Sequence, residues 1–398
     1  MTEWERKKHM KKEKTSIIFS GDIGFDRYMD GKWKDENLLS APVLDFFRSA
    51  DHICLNVEGA LYESEDDGSH GAFYHTMNPG AIDFFNKVGA DIWSIGNNHV
   101  TDAGVDGIIS TREFAKKNGV KTMGAGLNEV EASEPVYIDE AGGIGMLCVT
   151  YMNECCPATK TEPGIFRWDD LDYIKRRIEE VKSKCRWCVV VCHGGEEFTA
   201  MPTPYTRERY KAYLQMGADA VVAHHPHVPE NYELFEDGKA IFYSLGNFIF
   251  DTDYQRAHLY TDVGILLKLI FTEEKMEFEA IGTKINRGDE RIDIVPLPDI
   301  FTNIDAKEYE ILTPLAAKSF IKEEKRRMIF LEPERFETAT QEEWNRYFLS
   351  EEPEGFAKGA HMDFSQVVPE AIKAESDDWK KSQLEKVKNY ILRLVDEV

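Results

Sequence analysis

The chain has 398 residues, of which 72 are acidic and 48 basic, so its formal net charge is -24 at pH 7. A surface this acidic repels nucleic acid and anionic lipid, which excludes a broad polyanion-binding role. Hydrophobic residues make up 42% of the chain, enough to bury a large core, so extensive disorder is excluded too. The length predicts one large domain with an extension, or two domains.

The start of the chain is basic, and it precedes an apolar stretch of only three residues, Ile17-Ile18-Phe19. A secretory signal needs an apolar run of about 7–15 residues. No later segment approaches the roughly 20 apolar residues of a membrane span. The sequence therefore predicts a cytoplasmic protein without a membrane span.

The seven cysteines indicate a reduced compartment rather than a disulfide scaffold, because two of them, Cys155 and Cys156, are adjacent. Cys185 and Cys188 form a lone C-x-x-C. A zinc site usually needs a second pair, and none stands at suitable spacing. The favoured interpretation is that these are buried or surface thiols.

Apolar runs alternate with amphipathic stretches from about residue 15 to residue 225, which is typical of an α/β protein. The predicted strands are 16–20, 53–57, 91–95, 186–192 and 218–223. The predicted helices are 43–49, 79–88, 104–117, 171–185 and 207–216.

After residue 229 the pattern changes to strand-like runs, at 232–235, 240–245, 263–271 and 276–283. The Asp-Gly pair within 235–239 predicts a hairpin turn, since it suits positive φ. From about residue 298, charged helical stretches dominate. They are 306–327, 341–348 and 379–398.

Polar side chains end five of the predicted strands. Ligands of α/β proteins lie outside the carboxyl ends of strands, and carboxylate, amide and imidazole groups are ligands of divalent metals. A lone strand-end Asp is more often a cap, and a lone buried His more often a core group. Five of the eleven histidines fall in these segments, however, and that clustering favours a metal site. The residues are Asp22; Asn56 and Glu58; Asn97, Asn98 and His99; His193 and Glu197; and His224, His225 and His227.

These segments, in this order, resemble the motifs of the CapA family, named for bacterial poly-γ-glutamate capsule synthesis and related to the calcineurin-like metallophosphatases. The resemblance covers about residues 15–285. It implies a four-layer α/β/β/α sandwich, with a metallophosphatase-like domain over 15–297 and a helical C-terminal extension over 298–398. The motifs are Gly21-Asp22, Asn56-Val57-Glu58-Gly59, Asn97-Asn98-His99 with Asp102 and Gly104, His193-x-Gly195-x-Glu197, His225-Pro226-His227-Val228 and Tyr243-Ser244-Leu245-Gly246-Asn247-Phe248.

The resemblance also implies a centre of two divalent ions, manganese, zinc or iron. Glu58 would bridge them and His99 would be the general acid or an electrostatic partner of the leaving oxygen, oriented by Asp102. One ion would be bound by Asp22 and His227, and the other by Asn98, His193 and His225. The surrounding residues, contacting ligands or substrate, would be Asn56, Asn97, Glu197, His224 and Asn247.

Three positions depart from the family pattern. The wider superfamily has Asp-x-His on the first strand, where this chain has Asp22-Ile23-Gly24. The usual bridging Asp is Glu58, and Gly194 stands where the family often has Trp. One ligand of the first site is therefore missing.

The resemblance predicts a metal-dependent hydrolase in which a metal-bound hydroxide attacks a phosphoester, or alternatively a γ-glutamyl amide. A second interpretation is a non-catalytic accessory or binding protein of poly-γ-glutamate capsule biosynthesis. A third is an interaction protein whose C-terminal extension recruits a protein partner. Candidates for the lining of the substrate pocket are Tyr74, His75, Tyr205 and Arg207, for each of which a structural or surface role is at least as well supported.

Overall fold

The structure is a computed structural model that describes residues 13–63, 73–151, 155–351, 356–360 and 362–396. Its centre is formed by two sheets. The first has eight strands, and four neighbouring ones form a parallel run: Lys14–Ile23, His52–Val57, Ile92–Ser94 and Lys121–Met123. An antiparallel meander extends it beyond Lys14–Ile23, through Val263–Thr272, Met276–Asn286 and Arg291–Val295. Asn247–Ile249 pairs with the end of the first strand.

The second sheet has six strands. Its inner four are parallel: Ile144–Thr150, Trp187–His193, Ala220–His224 and Ala240–Phe242. Its antiparallel edges are Val136–Ile138 and Tyr232–Leu234. Two short ribbons pair Ala60–Leu61 with Thr76–Met77, and Ala125–Gly126 with Gly164–Ile165.

The two sheets pack face to face, with helices on their outer sides. Along the first strand, Ile17 and Phe19 enter the core between the sheets, while Ile18 faces the outer helices, as the alternation of a strand requires. Helices Ala41–Arg48, Ile82–Val88 and Gly104–Lys117 cover the first sheet. Leu171–Lys184 and Pro204–Gln215 cover the second. The four-layer α/β/β/α sandwich is therefore confirmed.

The C-terminal region is helical, as expected. Its first helix, Ala306–Leu331 (the long helix), begins at a capping box of Asp305 and Glu308. The long helix shares an apolar cluster with Phe356–Ala360, Phe364–Ala374 and Asp378–Asp396, and this cluster also includes Ala200 and Met201 of the sandwich. The domain boundary near residue 297 stays a prediction. The remaining C-terminal helices are Pro333–Phe336, Gln341–Glu351, Phe356–Ala360, Phe364–Ala374 and Asp378–Asp396, and two short ones, Glu129–Ala132 and Asp253–Arg256, lie earlier in the chain.

The hairpin predicted at 235–239 is confirmed by the antiparallel pair Tyr232–Leu234 and Ala240–Phe242. Two other elements differ from the sequence-based prediction. The segment predicted as one helix over 79–88 begins as a 3-10 turn, Pro79–Ala81. The strand Ile144–Thr150 was not predicted. It is buried along its whole length, so its sequence is a continuous apolar run without the alternation that marks a half-exposed strand.

No disulfide joins the cysteines of the described residues, and Cys188 of the C-x-x-C is buried. Of the helices that the structure describes, none has both the length and the apolar composition needed to cross a bilayer.

Candidate metal centre

The polar strand ends from both sheets meet at one edge of the sandwich. Asp22 stands in register with Asn56 and Asn247 in the first sheet. In the second sheet, His193 stands in register with His224. His224 Nε2 lies 2.8 Å from the carbonyl oxygen of Ser20, which joins the two sheets directly. The fold thus brings residues far apart in sequence into one buried cluster.

Glu58 lies at the centre of this cluster and has no exposed surface. Its Oε1 is 3.6 Å from His193 Nε2 and 3.6 Å from His227 Nε2. Neither of its carboxylate oxygens has a hydrogen-bond partner. Buried carboxylates are normally paired, hydrogen-bonded or bound to a metal, so the arrangement has the donor chemistry that a cation requires.

Asp22 is held on one side of Glu58 by three groups. Asn56 Nδ2 donates a hydrogen bond to its Oδ1 at 2.7 Å. His227 Nδ1 lies 3.2 Å from its Oδ2, and the backbone N–H of His225 donates to the same oxygen at 3.4 Å. Asp22, Glu58 and His227 offer ligand atoms that all lie within 4.8 Å of one another.

Asn247 fixes the proton of His227. The Nδ2 group of Asn247 donates to Gln255 Oε1 at 3.0 Å and to the carbonyl of Thr261 at 2.9 Å. Its Oδ1 therefore faces His227 Nδ1, 2.9 Å away, as an acceptor. With the proton on Nδ1, the Nε2 atom of the neutral ring is open toward Glu58.

Two further groups of ligand atoms overlap with the first. Glu58, His193 and His225 also cluster within 4.8 Å, and so do Glu197, His225 and His227. His193 Nε2 lies 2.9 Å from Asn98 Oδ1. Glu58 thus belongs to two of the three ligand groups found among the described residues.

His99 is connected to this cluster by Asn98. Its Nε2 lies 2.9 Å from Asn98 Nδ2, and its Nδ1 lies 2.9 Å from Asp102 Oδ2. Asp102 also accepts a hydrogen bond from the backbone N–H of His75 at 2.8 Å. The ring of His75 packs edge-on against that of His99, and its own Nδ1 contacts Asp26. Asp102 therefore orients the imidazole of His99.

Burial controls the charge of the cluster. Desolvation, with the nearby charge of Asp22, holds the pKa of the Glu58 carboxyl well above its usual range. Desolvation lowers the pKa of His225 to about 4 and that of His193 well below its usual range. Both imidazoles are therefore neutral near pH 7, the form that binds metal.

His227 behaves in the opposite way. Burial disfavours its charged form, but the charges of Glu58 and Asp22 outweigh burial and raise its pKa. Burial likewise works against the charged form of Asp22, yet its hydrogen bond with His227 lowers the carboxyl pKa. In the metal-free protein the imidazolium of His227 is thus the counter-charge of Asp22, and a bound cation would replace its proton.

The loop that carries the histidines has unusual backbone geometry. His225 and His227 have φ angles of 97° and 59°. Phe198, beside the other histidine loop, has φ of 60°. Such conformations cost free energy for residues other than glycine and are found where the surrounding structure imposes them, often at functional sites. They aim both imidazoles into the cluster.

Of the remaining sequence-predicted residues, Asn97 supports the loops of the cluster, whereas the others lie away from it. Asn97 holds loops together, since its Nδ2 donates to the Val57 carbonyl at 2.7 Å and its Oδ1 accepts from the N–H of His99 at 3.1 Å. Arg207 lies away from the cluster in a buried pair with Glu233 Oε1 at 2.7 Å, and Tyr205 is exposed. Tyr74 lines a separate cavity of about 370 Å³.

Gly194 has a specific packing role. A Cβ atom at this position would lie 2.8 Å from the Cβ of Tyr151 and 3.1 Å from ring atoms of Trp168. Trp168, which comes from another segment of the chain, therefore packs directly against Gly194.

Sequence reasoning missed two side chains at the edge of the cluster. Tyr254 donates from its hydroxyl to Glu197 Oε2 at 2.9 Å. Arg327, from the long helix, has its Nε 3.6 Å from the same oxygen. Neither belongs to a strand end, so no local pattern marked them.

The sequence matches the family described as Bacterial capsule synthesis protein PGA_cap over residues 16–252. The chain belongs to this family. Its relatives include the PGA biosynthesis protein CapA of Bacillus subtilis (strain 168), 30% identical over 266 residues, with 64% of this chain and 69% of the relative covered. The capsule biosynthesis protein CapA of Bacillus anthracis is 27% identical, covering 63% of each chain.

A more distant relative is a probable polyglutamine synthesis accessory protein of Mycobacterium tuberculosis, 20% identical over 216 residues. The alignment covers 51% of this chain and 57% of the relative. The PGA_cap match contains every candidate ligand and ends at residue 252, before the long helix. Family membership places the chain among proteins of capsule and poly-glutamate synthesis, and its helical C-terminal region lies outside the family match.

Proposed function

We propose that this member of the PGA_cap family is a metal-dependent hydrolase that acts on a phosphoester or a γ-glutamyl amide. The observation that carries the proposal is the carboxylate of Glu58. It is fully buried, without a hydrogen-bond partner on either oxygen, and shared between two groups of ligand atoms. A binding module has no need of a buried carboxylate in this state, whereas a site for two divalent ions does.

The donor set fits borderline divalent ions such as manganese, zinc or iron, because it combines carboxylates with neutral imidazoles. Asp22 and His227 would hold one ion, His193, His225 and Asn98 the other, with Glu58 between them. When bound, such ions supply Lewis acidity, which polarises a phosphoryl or carbonyl oxygen and acidifies water.

The chain's own residues position and move protons around this centre. Asn247 keeps the proton of His227 on Nδ1, so Nε2 faces the centre. Asp102 orients His99, whose Nε2 would accept or donate the proton of the reacting oxygen. Burial and the neighbouring charge of His75 lower the pKa of His99 while Asp102 opposes them, so the ring is neutral and ready to accept a proton near pH 7.

The experiment pairs metal content with turnover. The purified protein is reconstituted with manganese, zinc or iron and analysed by elemental mass spectrometry. It is then assayed with p-nitrophenyl phosphate, bis-p-nitrophenyl phosphate and γ-glutamyl-p-nitroanilide. We expect about two ions per chain by the dinuclear geometry of metallohydrolases and hydrolysis of one substrate class. The matched variant is His99→Gln, which should keep the metal and lose roughly 100- to 10,000-fold in turnover.

Absence of bound metal after reconstitution would refute the proposal. Metal without turnover on any substrate, or equal turnover in His99→Gln, would favour a second function. That function is a non-catalytic accessory role in poly-γ-glutamate synthesis. It is supported by the name of the Mycobacterium tuberculosis relative, a probable accessory protein of polyglutamine synthesis.

A further inference from the structure

The long helix places a cation beside the candidate metal centre. Arg327 Nε lies 3.6 Å from Glu197 Oε2, and its Nη1 lies 3.6 Å from Glu324 Oε2, one turn earlier on the helix. Glu197 in turn shares a ligand group with His225 and His227. A single side chain therefore separates the guanidinium from the candidate ligands.

A small cavity of about 30 Å³ lies between the long helix and the centre. Its polar lining comes from Asn98, His99, Glu197 and Arg327, and apolar side chains with Tyr254 close the rest. His99 and Arg327 thus line the same small space.

Two carboxylates face the guanidinium of Arg327, but at distances longer than a direct hydrogen bond. Burial disfavours its charged form, but the nearby Glu197 and Glu324 outweigh burial and raise the pKa of the guanidinium. Both carboxylate contacts are 3.6 Å long, whereas a charge-assisted hydrogen bond measures about 2.7–2.9 Å. The guanidinium carries five N–H donors in a planar fork suited to phosphate and carboxylate, so it retains donors for a ligand.

We propose that Arg327 is a specificity-determining residue that binds an oxyanion of the substrate, a phosphoryl or a carboxylate group, in the cavity beside the metal centre. The inference rests on the proposed function, because it names the substrate chemistry of the same site. It assigns part of that site to the long helix, outside the residues that match the family.

The test measures ligand binding rather than activity. The full chain, reconstituted with manganese, is titrated by calorimetry with inorganic phosphate and, separately, with γ-glutamylglutamate. Arg327→Met keeps most of the aliphatic stem and removes the charge, and Arg327→Lys keeps the charge without the fork. The matched control is Arg335→Met, since Arg335, on the following helix Pro333–Phe336, is exposed and pairs with Glu332 just before that helix.

We expect Arg327→Met to weaken binding of one probe by about 10- to 100-fold, the usual effect of losing hydrogen bonds to a charged group. Arg327→Lys should be intermediate, and Arg335→Met unchanged. Metal content should be the same in all four proteins. The probe that binds identifies the substrate class: binding of phosphate indicates a phosphoester substrate, and binding of γ-glutamylglutamate indicates a γ-glutamyl chain.

Equal affinity in Arg327→Met and the unaltered protein would overturn the inference, as would failure of both probes to bind. If Arg327→Met loses metal or fails to fold, the ligand affinity of Arg327→Gln is compared with that of the unaltered protein instead. Binding that depends on Arg327 in a protein without turnover would uphold the inference and reject the hydrolase. Turnover in a protein whose ligand binding does not depend on Arg327 would support the hydrolase and reject the inference.

Discussion

His258 Nδ1 lies 2.7 Å from Glu323 Oε2, and both side chains are buried. This pair joins the loop after Asp253–Arg256 to the long helix. The ring of Phe198 stacks on His258 with centroids 3.7 Å apart, and Phe198 directly follows Glu197 in sequence. The pair therefore fixes the long helix against the segment that leads to the candidate metal centre.

Replacing Glu323 should loosen the long helix. Glu323→Ala leaves the buried Nδ1 of His258 without its partner, which costs about 1–3 kcal/mol in free energy of unfolding. Urea denaturation measures the loss. The control is Glu332→Ala, whose exposed pair with Arg335 should contribute less than about 1 kcal/mol. Equal losses in the two variants would show that the buried pair does not anchor the helix.

Glu58 should be required for metal binding, in contrast to another buried carboxyl. Glu58→Gln keeps the shape of the side chain but removes the charge between the two ligand groups, so we expect metal affinity to fall at least about 100-fold. Glu230 is also buried, and its pKa is likewise raised by burial, but it lies in none of the ligand groups. Elemental mass spectrometry should find metal retained in Glu230→Gln. Equal retention in Glu58→Gln would contradict the assigned centre.

Glu324 should make stability depend on pH. Desolvation raises its pKa from 4.5 to about 7, against the opposing charge of Arg327. Between pH 4.5 and about pH 7, Glu324 holds a proton in the folded chain and has released it in the unfolded chain. The stabilisation is fully present below pH 4.5 and is lost as pH rises through about 7, with an amplitude of about 3 kcal/mol.

The comparison with Glu324→Gln isolates this effect. Urea unfolding of the metal-free proteins between about pH 5 and pH 8 should show the stability of the unaltered protein falling relative to the variant as pH rises. A constant difference across this range would mean that Glu324 has an ordinary pKa.

Gly194 should tolerate no side chain. Gly194→Ala forces a methyl group against Tyr151 and Trp168, and overpacking of this kind typically costs about 1–3 kcal/mol. Gly288→Ala is the matched control, because a Cβ there meets nothing within 4 Å. Thermal unfolding should show a lower melting temperature for Gly194→Ala alone. An unchanged temperature would mean that the two aromatic residues move apart freely.

The strand-end clusters could be predicted because their signal is local. Asp22, Glu58, His193 and the residues around His225 each follow an apolar run directly, and the carboxyl ends of the parallel strands place them at one edge of the sandwich. The alternation of strands and helices predicted an α/β protein, and the resemblance to the CapA family implied the four-layer sandwich. Their roles in binding metal or in catalysis stay a prediction.

The position of the long helix beside the site could not be predicted in this way. Arg327 lies in a charged helical run, and its sequence neighbours resemble those of any solvated helix. What brings it to Glu197 is the docking of the long helix, through contacts such as His258 with Glu323 and Tyr254 with Phe330. These contacts join distant segments, so no short window of sequence contains them. The strand Ile144–Thr150 was missed for the opposite reason, since complete burial removed its periodicity.

The order of the chain has a consequence for loading the site. Every candidate ligand precedes residue 230, and Asn247 completes the hydrogen bonds of His227, whereas the long helix that closes the cavity begins at Ala306. On the ribosome, the ligands are therefore synthesised before their cover. A cation therefore has access to them before the long helix is in place.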